Sequence, residues 1–132
     1  MVNNVVARFR DGRVLKGSSL DAHSPKPTFH LKTPDGPMQE LAREEMKAIF
    51  FVRSFDGDPD RDDSTDVDPE DRRARGMKAV RVTFEDDEVI VGLTAHFPVT
   101  RPFFFVLPVD ADSNNIRILV NRDAMKEIVA VG

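Results

Sequence analysis

Two stretches of the chain carry the same alternation of apolar and polar residues. Val5, Ala7 and Phe9 alternate with Arg8 and Arg10, and Val80, Val82 and Phe84 alternate with Arg81 and Thr83. A period of two is that of a strand with one face buried. Asp11-Gly12 follows the first stretch and is a strong tight-hairpin signal, and Asp86-Asp87 fills the same slot in the second. Return strands are predicted over Val14–Gly17 and Val89–Gly92, with Gly17 and Gly92 where a strongly bent strand needs a residue without a side chain. Third strands are predicted over Thr28–Lys32 and Phe103–Leu107, each after a Pro-containing loop, and a further one over Ile116–Asn121.

The likeness extends along most of the chain. An offset of 75 aligns Val5–Gly17 with Val80–Gly92 without a gap, and also Pro27 with Pro102, Phe29 with Phe104 and Asp35 with Asp110. After four extra residues the offset becomes 79, aligning Leu41 with Val120, Arg43 with Arg122, Met46 with Met125, Lys47 with Lys126 and Ile49 with Ile128. Residues 38–49 look helical by propensity alone, whereas their counterparts 116–131 look like two strands joined by a turn. Since both copies should share one fold, the clearer one decides: strand, one helical turn near Arg43–Met46 and Arg122–Met125, then strand. The expected organisation is all-β: two tandem small five-stranded barrels, residues 1–53 and 79–132, related by internal duplication and joined by a linker over 54–78.

Strand, Asp-Gly hairpin, return strand ending in Gly, variable loop and last strand after a short turn: this order resembles the SH3-like and Sm-like small barrels across essentially all of each copy. Members of the RNA-binding Sm-like branch carry an Asp and an Asn in the loop after the second strand. Here that loop reads Leu20-Asp21-Ala22-His23-Ser24-Pro25 and Ala95-His96-Phe97-Pro98-Val99-Thr100, without Asn. The chain also resembles uncharacterised bacterial domains found beside signalling modules, which implies no activity.

Charge divides the chain in three. Residues 1–53 hold nine basic and six acidic residues (net +3), 54–78 nine acidic and five basic (net −4), and 79–132 eight acidic and five basic (net −3). Opposite signs favour docking of the two copies. The acidic stretch, with Gly57, Pro59 and Pro69 as breakers, reads as a flexible linker. Asp56, Asp58, Asp60 and Asp62 alternate as a calcium loop begins, but Arg61 and Val67 stand where Gly and Glu are required. There is no Cys, which removes disulfides and thiol chemistry. No apolar run approaches the roughly 20 residues of a membrane span, and no secretory leader pattern opens the chain, so a cytoplasmic protein without membrane contact is expected.

Candidate chemistry is sparse. His23, His30 and His96 fit no ligand spacing, and Ser18, Ser19, Ser24, Ser113 and Lys47 lie in no nucleophile context. We therefore expect no enzyme, no catalytic residue, no metal and no cofactor. The run Phe103-Phe104-Phe105 needs cover on both strand faces, from the core or from a partner. Phe97, Phe103 and Phe105 are the candidate partner-binding residues of a non-enzymatic interaction or regulatory module, acting on a protein partner or by self-association. The alternative is Sm-like RNA binding through Arg8, Arg10, Arg13 and Lys16, with no Tyr or Trp to stack on bases.

Overall fold

The computed structural model describes residues 2–57 and 63–131. Ten strands form one antiparallel sheet: β1 (Asn3–Phe9), β2 (Val14–Ser19), β3 (Thr28–Lys32), β4 (Met38–Ala42), β5 (Met46–Val52), β6 (Lys78–Phe84), β7 (Val89–Thr94), β8 (Phe103–Pro108), β9 (Asn115–Asn121) and β10 (Met125–Ala130). Their spatial order is β10-β6-β7-β8-β9-β5-β1-β2-β3-β4. Residues 38–49 are strand, single 3-10 turn and strand, as the second copy's pattern predicts: the turn Arg43–Glu45 separates β4 from β5, and Arg122–Ala124 separates β9 from β10.

The expectation of two closed barrels is corrected: the sheet is open and continuous. The edge of β5 that would close the first half instead pairs with β9, with Ile49 opposite Leu119 and Phe51 opposite Arg117. Burial explains the choice. All seven residues of β5 are buried, and alternate side chains serve two cores on opposite faces. Ile49 and Phe51 join Val5, Phe9, Phe29 and Leu31, while Ala48, Phe50 and Val52 join Val82, Phe84, Phe104 and Ile118. At ~25 cal/mol per Å² of apolar surface, covering Phe50 and Val52 with β9 gains more than pairing with the short β4, which offers Gln39 and Glu40.

Within each half the hydrogen bonds repeat at the offsets read from sequence. Phe9 N–H donates to the Arg13 carbonyl at 2.9 Å and Phe84 N–H to that of Glu88 at 2.8 Å. Arg43 N–H donates to Pro27 at 2.8 Å, and Arg122 N–H to Pro102 at 2.9 Å. Ser18 pairs with Lys32 as Leu93 pairs with Leu107.

Part of the acidic linker, including Asp58, Asp60, Arg61 and Asp62 of the calcium-like alternation, lies outside the described residues. Its described parts touch the sheet at both ends. Phe55 packs against the second core, Ser64 N–H donates to Asp110 at 2.9 Å, and Ser113 Oγ donates to Asp63 at 2.6 Å. Arg73, held by Asp71, donates to the carbonyls of Pro108 and Val109.

Candidate interaction surfaces

The four basic residues expected to form one nucleic-acid face are divided between two clefts, and each has a partner in the chain. Arg8 and Lys16 line a cleft of about 730 Å³ beside Arg53, whereas Arg10 and Arg13 line another beside Glu44 and Asp123. Arg8 lies over the Phe50 ring, 5.0 Å from its centroid, with Glu88 at 3.7 Å. Arg10 grips Glu85 at 2.6 Å and donates to the Asp123 carbonyl. Arg13 pairs with Asp11 at 2.8 Å, and Lys16 donates to the Phe55 carbonyl at 3.0 Å.

Two of these partners, Glu85 and Glu88, come from the acidic hairpin tip Glu85–Glu88, whose mutual repulsion would otherwise be left to water. Lys47 completes the set from β5. Its side chain is only 9% exposed, it reaches Asp86 at 2.7 Å and Glu88 at 2.5 Å, and it lies over Phe84. Lys126, its counterpart at offset 79, pairs with Asp87 at 2.6 Å. The Lys47 ammonium holds the Asp86 carboxyl below the ordinary carboxylate range. The joint between the halves is thus a β5–β9 ladder flanked by ion pairs, with Arg117 lying over the neighbouring rings of Phe51 and Phe105.

The three candidate aromatics do not share one surface. Phe97 packs against the second core, and Phe103 and Phe105 pack against the first from across the joint. Phe103 stands between two adjoining cavities of about 480 Å³ each, which share Pro25, Arg43, Pro102 and Phe103. Together they form a groove between two equivalent loops, 20–27 after β2 and 95–102 after β7. Its rim carries His23, Lys26, His96 and Arg101 against Glu44 and Asp123.

Arg43, which sequence reasoning placed only in a turn, is the floor of this groove. It is 1% exposed. Its guanidinium donates to the carbonyls of Ala22 at 2.6 Å and Lys26 at 2.7 Å and lies 5.0 Å from the Phe29 centroid. Burial lowers its pKa from the ordinary arginine value. It therefore acts as a strut that shapes the loop over 20–27.

Of the histidines, His30 is held by Asp21, with Nδ1 2.7 Å from the carboxylate, while Asp21 also accepts the His30 backbone N–H at 2.8 Å. The Asp21 hydrogen bond raises the His30 pKa. Burial pushes the Asp21 carboxyl up, but the bonds from His30 outweigh it and leave it below the ordinary value. The stabilisation carried by His30 is complete below its unfolded pKa and lost as pH rises through the raised folded value. That carried by Asp21 is complete above its unfolded value and lost as pH falls through the lowered one. The pair is therefore strongest in mildly acid solution. An NMR titration should place the His30 midpoint above the ordinary 6.5, and Asp21→Asn should lower it, with Glu40 at 3.5 Å from Nε2 retaining part of the rise; a midpoint at or below 6.5 in the unaltered chain contradicts the pairing.

Among the described residues, no group of three or more His, Asp or Glu side chains is placed to hold a metal ion, and no helix is long and apolar enough to cross a membrane. No curated protein and no solved structure matches the chain. A family model does match it over residues 1–132, so the chain, with its continuous ten-stranded sheet and its groove between repeated loops, belongs to the family of unknown function DUF6982.

Proposed function

We propose that the chain is a non-enzymatic protein-interaction or regulatory module, built by internal duplication of a small SH3-like or Sm-like unit, that takes an extended peptide segment in the groove around Phe103 and Phe105. The observation that carries this reading is Phe103 itself, a half-buried ring between two loops that each half contributes at the same position. Apolar ring surface bordered by polar groups is how peptide grooves combine affinity with orientation. The rim's fixed charges balance, Lys26 and Arg101 against Glu44 and Asp123, so the Phe103 ring and the placement of single charges, rather than net charge, select the segment.

RNA binding through the first half is the weaker alternative. Arg8, Arg10 and Arg13 already face carboxylates, so phosphates would have to displace them. Selection of displayed random peptides on the full chain should enrich sequences with an apolar anchor flanked by polar residues. Phe103→Ala should weaken the best of them about tenfold, which is about 1.4 kcal/mol, and Arg101→Glu should weaken them while leaving the fold intact. Failure to enrich any peptide, together with oligonucleotide binding lost in Arg8→Glu, would reverse the assignment.

A further inference from the structure

We propose that the sheet is extended by a second copy of this chain, docked head to tail, with β10 of one copy pairing with β4 of the next. This proposal takes up the self-association branch of the interaction reading and does not depend on the groove. The template lies within the molecule, because the joint between the halves is already an edge-to-edge pairing of β5 with β9. At offset 79 the counterpart of β5 is β10 and that of β9 is β4. Those two counterparts are the ends of the sheet: among the described residues β4 pairs only with β3, and β10 only with β6.

Backbone donors at both ends point the right way. Val131 N–H donates to Ala79, so by strand alternation Ile128 and Ala130 turn their N–H groups outward. Arg43 N–H donates to Pro27, so Glu40 and Met38 do the same on β4. In the internal joint the outward pairs are Ile49 with Leu119 and Phe51 with Arg117. The corresponding intermolecular pairs are Ile128 with Glu40 and Ala130 with Met38, in a matching antiparallel register.

Charge and shape support the same occupant. A head-to-tail contact sets the −3 half of one copy against the +3 half of the next, the same opposition as inside the chain. Lys126 would meet Asp11, as Lys47 meets Asp86, but each already has a partner within the chain, Asp87 and Arg13, so this contact steers the register more than it strengthens the joint. The receiving end also exposes Val2, Leu20 and Met38 around a cavity of about 350 Å³. Glu127 and Arg81, however, stand where the internal joint has Ala48 and Val6. The intermolecular joint therefore buries less apolar surface and is reversible. Its two sides differ, so it is heterologous, and it propagates or closes into a ring.

Sedimentation of the full chain should show a weight-average mass of 14.9 kDa when dilute that rises with concentration and falls again on adding salt. Ala130→Pro and Glu40→Pro each remove one outward donor without touching the ladder to β6 or β3. Each alone should stay monomeric, and their mixture should give a one-to-one dimer, since each keeps the edge the other has lost. In the unaltered chain, amide exchange at Met38, Glu40, Ile128 and Ala130 should slow tenfold or more between dilute and concentrated samples, a readout that stands even if a proline variant fails to fold. A constant monomer mass, unchanged exchange at those four amides, self-association of either variant alone, or a mixture of folded variants that stays monomeric overturns the proposal.

Discussion

Gly92→Val is expected to lower the melting temperature by about 15 °C, corresponding to about 4 kcal/mol in a domain of this size. A Cβ at Gly92 would stand 2.5 Å from the Leu107 carbonyl oxygen and against Val106 Cγ1. The carbonyl cannot withdraw cheaply, because β7 meets β8 through only two residue pairs, Gly92–Pro108 and Leu93–Leu107. Relief of the clash therefore means opening that short joint and the core behind it. Gly76→Val is the control. Gly76 has a φ of +73° and open space around its Cβ position, so the cost is confined to backbone strain of about 1–2 kcal/mol. Thermal melts of the two variants side by side check the contrast, and equal losses would show that the approach of β7 to β8 is not what Gly92 permits.

Arg43→Ala is expected to cost about 3 kcal/mol, against less than about 0.5 kcal/mol for Arg122→Ala. The two arginines occupy the same position in their halves and make the same backbone bond, but Arg122 is exposed. Arg43 feeds two short bonds into carbonyls of the loop over 20–27 and covers the Phe29 ring. Removing it leaves the buried Ala22 carbonyl without a donor, frees the part-buried Lys26 carbonyl and opens a void beside Phe29. Denaturant unfolding of both variants measures the difference. Because the loop is one wall of the groove, Arg43→Ala should also weaken any peptide bound there.

The strands were legible because their alternation is clean and repeats at a fixed offset. The repeat also corrected the helical propensity of Met38 to Ile49. The joint between the halves was missed, although it left a signal. Ile49-Phe50-Phe51-Val52 is an unbroken apolar run, which a strand with one wet face does not carry and a strand buried on both faces does. Reading that run beside the alternating strands would have placed β5 inside a larger sheet instead of at the seam of a closed barrel.

The surfaces were less legible. Asp86-Asp87 reads from sequence only as a hairpin turn, and Arg8, Arg10, Arg13 and Lys16 as a nucleic-acid face, yet the basic first half and the acidic tip neutralise each other through Arg10–Glu85 and Lys47–Asp86. Only the net charges of +3 and −3 announced this, and they could not say which residues meet. Phe103 and Phe105, on one side of β8, face the first core across the joint, while Phe97, in the loop over 95–102, packs against the second. The contrast between Arg43 and Arg122 left no trace in sequence, since it depends on where the Ala22 and Lys26 carbonyls are turned.

The two-faced burial of β5 also bears on how the chain is made. The ribosome delivers Phe50 and Val52 some 65 to 70 residues ahead of Ile118 and Val120, which shelter them. At translation speeds of about 5–20 residues per second, that leaves roughly 3 to 14 s in which the nascent first half presents an adhesive stripe to its surroundings. A chaperone that recognises extended greasy segments has its natural target there, and early release of the truncated product would favour clumping over folding.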